Sequence, residues 1–86
     1  MSLPSRINRV LDLGGQGCGQ LVMELMVAMS TLAPGQTLLV TAYDPAAEGD
    51  IAAWCRMTGN ILCLTLPVPD TSGHQFLLEK GPLEPC

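Results

Sequence analysis

Hydrophobic residues recur along the chain with two different periods, and the changes of period divide it into six elements. Alternating apolar positions predict strands, whereas apolar positions three and four residues apart predict helices that bury one stripe. Turn residues such as Pro34-Gly35 and Gly59-Asn60 separate the elements. The predicted order is strand 7–13, helix from 20 to 32, strand 36–42, helix from 45 to 58, strand 61–68 and strand 74–80.

The same pattern predicts which side chains face the core. The inner stripe of the first helix should contain Leu21, Val22, Leu25, Met26, Met29 and Leu32. Met23, Met26 and Met29 are expected to fill the core rather than to bind a metal. Alternation in the third strand places Leu62, Leu64, Leu66 and Val68 on one face, with Cys63 half-covered on the other.

The strand–helix order β-α-β-α-β-β predicts an α/β fold of two layers (an α+β sandwich). Because each helix carries a single apolar stripe, four strands in a mixed sheet with both helices on one face is the simplest arrangement. The 86 residues, 48% of them hydrophobic, are enough for one domain with its own core. We expect a single domain over residues 1–86, with an ordered core over about 7–80 and flexible ends.

A glycine-rich segment follows the first strand and contains Cys18. Gly15, Gly17 and Gly19 predict a turn that leads into the first helix and leaves the sulfur uncrowded. A thiolate at a helix start is favoured by unpaired backbone N–H groups and by the helix dipole. Cys18 is therefore the candidate nucleophile, and a small apolar side chain under the turn is the alternative role.

The same glycines do not match a phosphate-binding loop. A Rossmann fingerprint would place its third glycine at Gln20, and a P-loop requires a lysine that is absent before Lys80. No cofactor is therefore predicted.

The remaining candidate residues have structural explanations. Asp44, followed by Pro45, is predicted to be the N-cap of the second helix. Cys55 lies on the inner stripe of that helix, Cys86 ends the chain, and His74 is expected on the surface. No Cys-x-x-Cys pair or nearby histidine predicts a metal site.

Composition and charge exclude several kinds of partner. The net charge is −4, the four basic residues are scattered, and aromatic residues make up 3%, so no direct nucleic-acid binding is expected. Pro34-Gly35 interrupts the uncharged run 25–43, so no membrane span is expected. Without a secretory signal pattern, we expect a cytoplasmic protein with reduced thiols.

Short motifs spread over residues 7–80 carry a family resemblance. They are Leu11-Asp12, Gly15, Cys18, the run from Ala33 to Leu38, Asp44-Pro45, Asp50-Ile51, Trp54-Cys55 and Gly59. In this combination and spacing, the chain resembles the TusA/SirA-like sulfur-carrier family. The resemblance implies the same two-layer fold and implies that Cys18 carries sulfane sulfur as a persulfide between proteins. The implied partners are a cysteine desulfurase or rhodanese-like donor and a downstream thiol acceptor, in tRNA thiolation, cofactor sulfuration, sulfur oxidation or selenium metabolism.

One departure from the family concerns the motif around the cysteine. The family reads Cys-Pro-x-Pro, and this chain reads Cys18-Gly19-Gln20-Leu21, with no basic residue beside it. The leading hypothesis is a sulfurtransferase-type carrier acting through Cys18. The alternative is a binding or regulatory module on the same fold, and a third is a thiol redox protein that pairs Cys18 with Cys86 or Cys63.

Overall fold

A computed structural model describes residues 7–14 and 18–82 of the chain. The elements are β1 (Arg9–Gly14), α1 (Cys18–Ser30), β2 (Thr37–Ala42), α2 (Ala47–Thr58), β3 (Ile61–Pro67) and β4 (His74–Glu79). Their types and order confirm the prediction, with boundaries that shift by no more than two residues.

The strands form one mixed sheet in the order β1-β2-β4-β3. β1 and β2 are parallel, and β4 is antiparallel to both of its neighbours. β1, β2 and β3 therefore finish at one end of the sheet, where β4 and both helices begin. We call this end the Cys18 end, and it is marked by Gly14, Ala42, Pro67 and His74. The opposite end is the far end, marked by Arg9, Thr37, Ile61 and Glu79.

One face of the sheet packs against both helices and forms the core. The largest fully buried side chains are Phe76, Leu21, Leu25, Leu38, Ile51, Leu78 and Val40. They come from both helices and from the two central strands, so the core joins the two layers. Burial of each such side chain contributes about 1.5–3 kcal/mol. The predicted two-layer sandwich is therefore the observed one.

A β-bulge in β3 overturns the predicted alternation of that strand. Leu62 pairs with Leu78 and Leu64 pairs with Leu77, so Cys63 is the extra residue between them. Leu62 packs on the core, but Leu64 shares the opposite face with Leu77, because paired residues in a sheet face the same way. The prediction that Leu62 and Leu64 share a face was wrong, and Cys63 is exposed rather than half-covered.

The inner stripe of α1 also differs from the prediction at its methionines. Met29 is buried as expected, whereas Met26 and Met23 are 57% and 63% exposed. Ala28 occupies the inner position next to Met29 instead. The hydrophobic period of α1 was correct, but apolar residues lie on its outer face as well, and the prediction that these methionines fill the core was wrong for two of three.

The second helix begins later than the Asp44-Pro45 signal predicts. α2 starts at Ala47, its N-cap position is Ala46, and no side chain caps it. The prediction that Asp44 is the helix cap was therefore wrong. Its carboxylate accepts a 2.8 Å hydrogen bond from the Ala46 amide, and its carbonyl accepts one of 3.0 Å from the Ala47 amide. Asp44 thus closes the turn that precedes the helix.

Candidate functional site

Cys18 is the first residue of α1, with only three residues between it and the end of β1 at Gly14. The predicted position of this cysteine at a helix start is confirmed. Gly19 follows as the second helical residue, whereas the predicted supporting turn residues Gly15 and Gly17 lie outside the described residues. The described part of the site therefore consists of the start of α1, where Cys18 lies, and the end of β1.

The point at which the chain leaves β1 is fixed by two hydrogen bonds at Gly14. Its N–H donates to the carboxylate of Asp12 over 2.9 Å, and its carbonyl accepts from the Tyr43 amide over 3.0 Å. Gly14 has φ of +58°, in the left-handed region that favours glycine. These contacts fix the end of β1, the last described residue before Cys18.

The start of α1 provides an environment suited to a thiolate. The first N–H groups of a helix have no intrahelical acceptor, and the dipole of a 13-residue helix places partial positive charge there. The first turn of α1 carries no acidic residue that would counter this effect. Such positions lower cysteine pKa values and favour the nucleophilic form.

The position of the family's second motif proline is occupied by a core residue. Leu21 is 1% exposed and is one of the largest fully buried side chains. A proline ring would remove most of this packing. At residue 21 this chain therefore places a leucine of the core where the family motif has proline.

Two other cysteines have environments that disfavour the thiolate. Burial, with a smaller contribution from Cys63, raises the pKa of the Cys55 thiol to about 11. Partial burial and the nearby Glu79 carboxylate raise the pKa of Cys63 above its ordinary value. Cys55 is buried in the core as predicted. Neither thiol is a good nucleophile at neutral pH.

Cys63 is also poorly placed to pair with Cys18. It lies on edge strand β3, whereas α1 follows the other edge strand, β1, and three strand spacings span about 14 Å. Cys63 lies near the far end, and Cys18 lies at the opposite end. A disulfide requires Cα atoms within about 7 Å. Cys86, the other predicted redox partner, lies outside the described residues.

His74 lies at the Cys18 end and was not singled out by its sequence context. It pairs with Ala42 in β2, is half-buried, and its ring centroid lies 6.1 Å from that of Phe76. Phe76 is fully buried in the core, so the histidine ring lies on the helix-covered face rather than on the open surface. The expected surface position was wrong, because the strand register turns this residue inward.

Charged side chains are sorted between the two ends of the sheet. The Cys18 end carries five carboxylates, those of Asp12, Asp44, Glu48, Asp50 and Asp70. All three cations among the described residues lie at the far end: Arg9, which bonds Thr31, Arg56 in the last turn of α2, and Lys80, which bonds the Leu32 carbonyl. These residues are scattered in the sequence, and the topology gathers the described cations at the far end and most of the described carboxylates at the Cys18 end.

Neither a metal site nor a membrane-spanning helix is found in the described part of the chain. Within residues 7–14 and 18–82, no three His, Cys, Asp or Glu residues are grouped so as to hold a metal ion. In the same part of the chain, no helix has the length and apolar character needed to cross a membrane.

Comparison with known proteins finds a matching family and a similar protein. Residues 9–80 match the family described as "Sulfurtransferase TusA". The chain is also 40% identical over 55 residues to a protein of Aquifex aeolicus (strain VF5) named "Putative sulfur carrier protein". That alignment covers 64% of this chain and 28% of the relative, so the chain spans little more than a quarter of the relative's length.

Proposed function

The chain belongs to the TusA sulfurtransferase family, and we propose that Cys18 holds sulfane sulfur as a persulfide and relays it between partner proteins. The observation that carries this proposal is the position of Cys18 as the first residue of α1. The helix start favours the thiolate, whereas Cys55 and Cys63 have raised pKa values. These differences support Cys18, rather than Cys55 or Cys63, as the proposed nucleophile.

The proposed relay consists of two balanced transfers. The Cys18 thiolate attacks the outer sulfur of a donor persulfide, forms Cys18–S–SH, and releases the donor cysteine as a thiolate. An acceptor thiolate then attacks the outer sulfur and regenerates the Cys18 thiolate. Each step breaks one S–S bond and forms another, so no external oxidant or reductant is needed. The chemistry parallels thiol–disulfide exchange, in which thiolate fraction and access set the rate.

The proposed partners are proteins on both sides of the transfer. A cysteine desulfurase or a rhodanese-like protein would supply the sulfur, and a downstream thiol protein would accept it. The cytoplasm is the proposed compartment, because a persulfide carrier needs its free thiols kept reduced.

A loading experiment tests the proposal. The protein is incubated with a cysteine desulfurase and L-cysteine, desalted and weighed intact. We expect an adduct of about 32 Da, one sulfur atom, on the wild type and on Cys63→Ala, but not on Cys18→Ala. Cyanide should remove the added sulfur as thiocyanate, which identifies it as sulfane sulfur. An unmodified wild type, or equal loading of Cys18→Ala, would contradict the proposal.

A second candidate function is a binding or regulatory module that does not transfer sulfur. Gly19 and Leu21 in place of the motif prolines, and the carboxylates at the Cys18 end, favour this alternative. The rate of Cys18 alkylation against pH separates the two functions. A midpoint near pH 8.5 or above, together with slow loading, would support the module. A redox role through Cys18 and Cys86 would instead give that disulfide in a non-reducing peptide map.

A further inference from the structure

The outer face of α1 exposes three large apolar side chains. Met23, Met26 and Val27 are 63%, 57% and 62% exposed, and their spacing of three and four residues places them on one side of the helix. We call this set the α1 face. Glu24 is the single charged residue in α1. Contiguous exposed apolar surface of this kind marks contact sites, and flexible methionines suit surfaces that adapt to a partner.

The α1 face lies close enough to Cys18 to be covered by any protein that exchanges sulfur with it. At 1.5 Å per residue, Met23 is about 7–8 Å and Val27 about 13–14 Å along the helix axis from Cys18. A standard protein interface covers about 800 Å² of each partner, a disc with a radius of roughly 16 Å. An interface of that size that includes Cys18 can therefore also cover the α1 face.

The charges around this surface define the chemistry of the partner. The Cys18 end carries Asp12, Asp44, Glu48, Asp50 and Asp70, whereas the described cations lie at the far end. Residues 15–17, Gly-Gln-Gly in the sequence, carry no charged side chain. A partner that docks over Cys18 therefore meets apolar side chains bordered by carboxylates, and complementary charge favours its encounter and orientation.

From these observations we infer that the α1 face docks a protein whose sulfur-bearing cysteine is bordered by apolar and Lys or Arg side chains. This docking rests on the proposed sulfur transfer. It specifies the side chains that surround the sulfur-bearing cysteine of the donor or acceptor protein. Apolar contacts along α1 hold the partner, and the carboxylates at the Cys18 end attract it. An acidic partner surface is repelled at the same place.

The test compares three persulfide donors that differ in what they present to the protein. Glutathione persulfide is a small donor that needs no docking surface. Two synthetic peptides of about 20 residues carry a persulfidated cysteine among leucine and phenylalanine, one flanked by lysine and arginine and the other by aspartate and glutamate. The rate of sulfur uptake by Cys18 is measured by intact mass at low and at high salt.

Matched variants show whether a difference in the rate of sulfur uptake arises from the α1 face and the carboxylates at the Cys18 end. Glu48→Lys at the Cys18 end is compared with Glu79→Lys at the far end, because both change the net charge equally. Met23→Ser on the α1 face is compared with Met57→Ser, since Met57 is 81% exposed in the last turn of α2. Glutathione persulfide should load the two control variants, Glu79→Lys and Met57→Ser, at the wild-type rate, and its loading of Glu48→Lys and Met23→Ser shows that Cys18 still reacts in these proteins.

We expect the basic peptide to load the wild type about tenfold faster than the acidic peptide at low salt, with the difference shrinking at high salt. Glu48→Lys and Met23→Ser should each slow the basic peptide about threefold or more, while Glu79→Lys and Met57→Ser should not. Equal rates for both peptides, with glutathione persulfide still loading Cys18, would overturn the docking inference alone. Failure of all three donors to load Cys18 would overturn the proposed function itself.

Discussion

The amide of Tyr43 donates a 3.0 Å hydrogen bond to the carbonyl oxygen of Gly14. The bond continues the contact between β1 and β2 one residue past the Gly14–Ala42 pair, at the point where both strands end. It ties the segment that leads to Cys18 to the segment that leads to α2. The candidate nucleophile is therefore positioned by the ends of two parallel strands, a common location for functional sites in α/β sheets.

The motif residues that replace the family prolines should respond differently to substitution. Gly19→Ala should raise the free energy of unfolding by about 0.5–1 kcal/mol, because glycine is costly within a helix. Leu21→Pro should lower it by about 2–5 kcal/mol, because Leu21 is buried in the core. Urea denaturation followed by circular dichroism measures both changes. A Leu21→Pro protein as stable as the wild type would contradict the packing of α1 described above.

Alkylation of the native protein should leave Cys55 unmodified at pH 8. A pKa raised from 9.0 to about 11 reduces its thiolate fraction about 100-fold, and the core shields the sulfur. Iodoacetamide treatment followed by peptide mass spectrometry measures this protection. Addition of 6 M guanidinium should remove it, which serves as the control. Rapid native alkylation of Cys55 would mean that α2 does not bury this side chain.

The same thiol makes the stability of the fold depend on alkaline pH. Because the folded pKa of Cys55 is raised above the unfolded value of 9.0, its contribution is fully present below about pH 9. As the pH rises toward 11 the unfolded chain ionises first, and about 2–3 kcal/mol of stability is lost.

Urea denaturation at several pH values between 8 and 11 tests this linkage. Cys55→Ala should show a shallower decline than the wild type, whatever its stability at pH 8, because the ionisable group is gone. The two proteins differ only at residue 55, so any difference between their pH curves arises from the Cys55 thiol. Parallel curves for the two proteins would contradict the prediction.

Gly81 is required by the close approach of two backbone segments. A β-carbon at this position would lie against the carbonyl oxygen and carbon of Gly59, at the αL cap of α2. Gly81→Ala should therefore destabilise the protein by more than 1 kcal/mol, since backbone atoms cannot move aside cheaply. Gly49→Ala, in open space within α2, should instead stabilise it by about 0.5–1 kcal/mol. Thermal denaturation compares the two, and equal effects would contradict this difference.

Much of the fold could be predicted from the hydrophobic pattern, because each element buries one face against the other layer. The period of α1 correctly placed Leu21 and Leu25 in the core. It did not show that Met26 faces outward. The pattern gives the spacing of apolar residues, but it does not tell whether a given apolar side chain packs in the core or lies exposed on the outer face of the helix. The orientation of Leu64 was missed because a bulge depends on pairing with β4.

The site was predictable in part for a similar reason. A cysteine after a strand and a glycine-rich turn indicates a helix start, and Cys18 lies there. The role of Asp44 was missed, because its side chain bonds within a turn whose length the sequence did not reveal. The separation of charge between the two ends depends on strand direction, so Glu48 and Arg56 reach opposite ends only in the folded chain.

The central claim is that Cys18, and no other cysteine, carries the sulfur. Cleavage after glutamate separates the thiols: residues 1–24 contain Cys18, residues 49–79 contain Cys55 and Cys63, and residues 80–86 contain Cys86, because the Glu84–Pro85 bond is not cut. The protein is loaded with a cysteine desulfurase and L-cysteine, alkylated, digested and weighed peptide by peptide. We expect an extra mass of about 32 Da on the peptide 1–24 alone. Extra sulfur on residues 49–79 or 80–86, or none on residues 1–24, would contradict this claim.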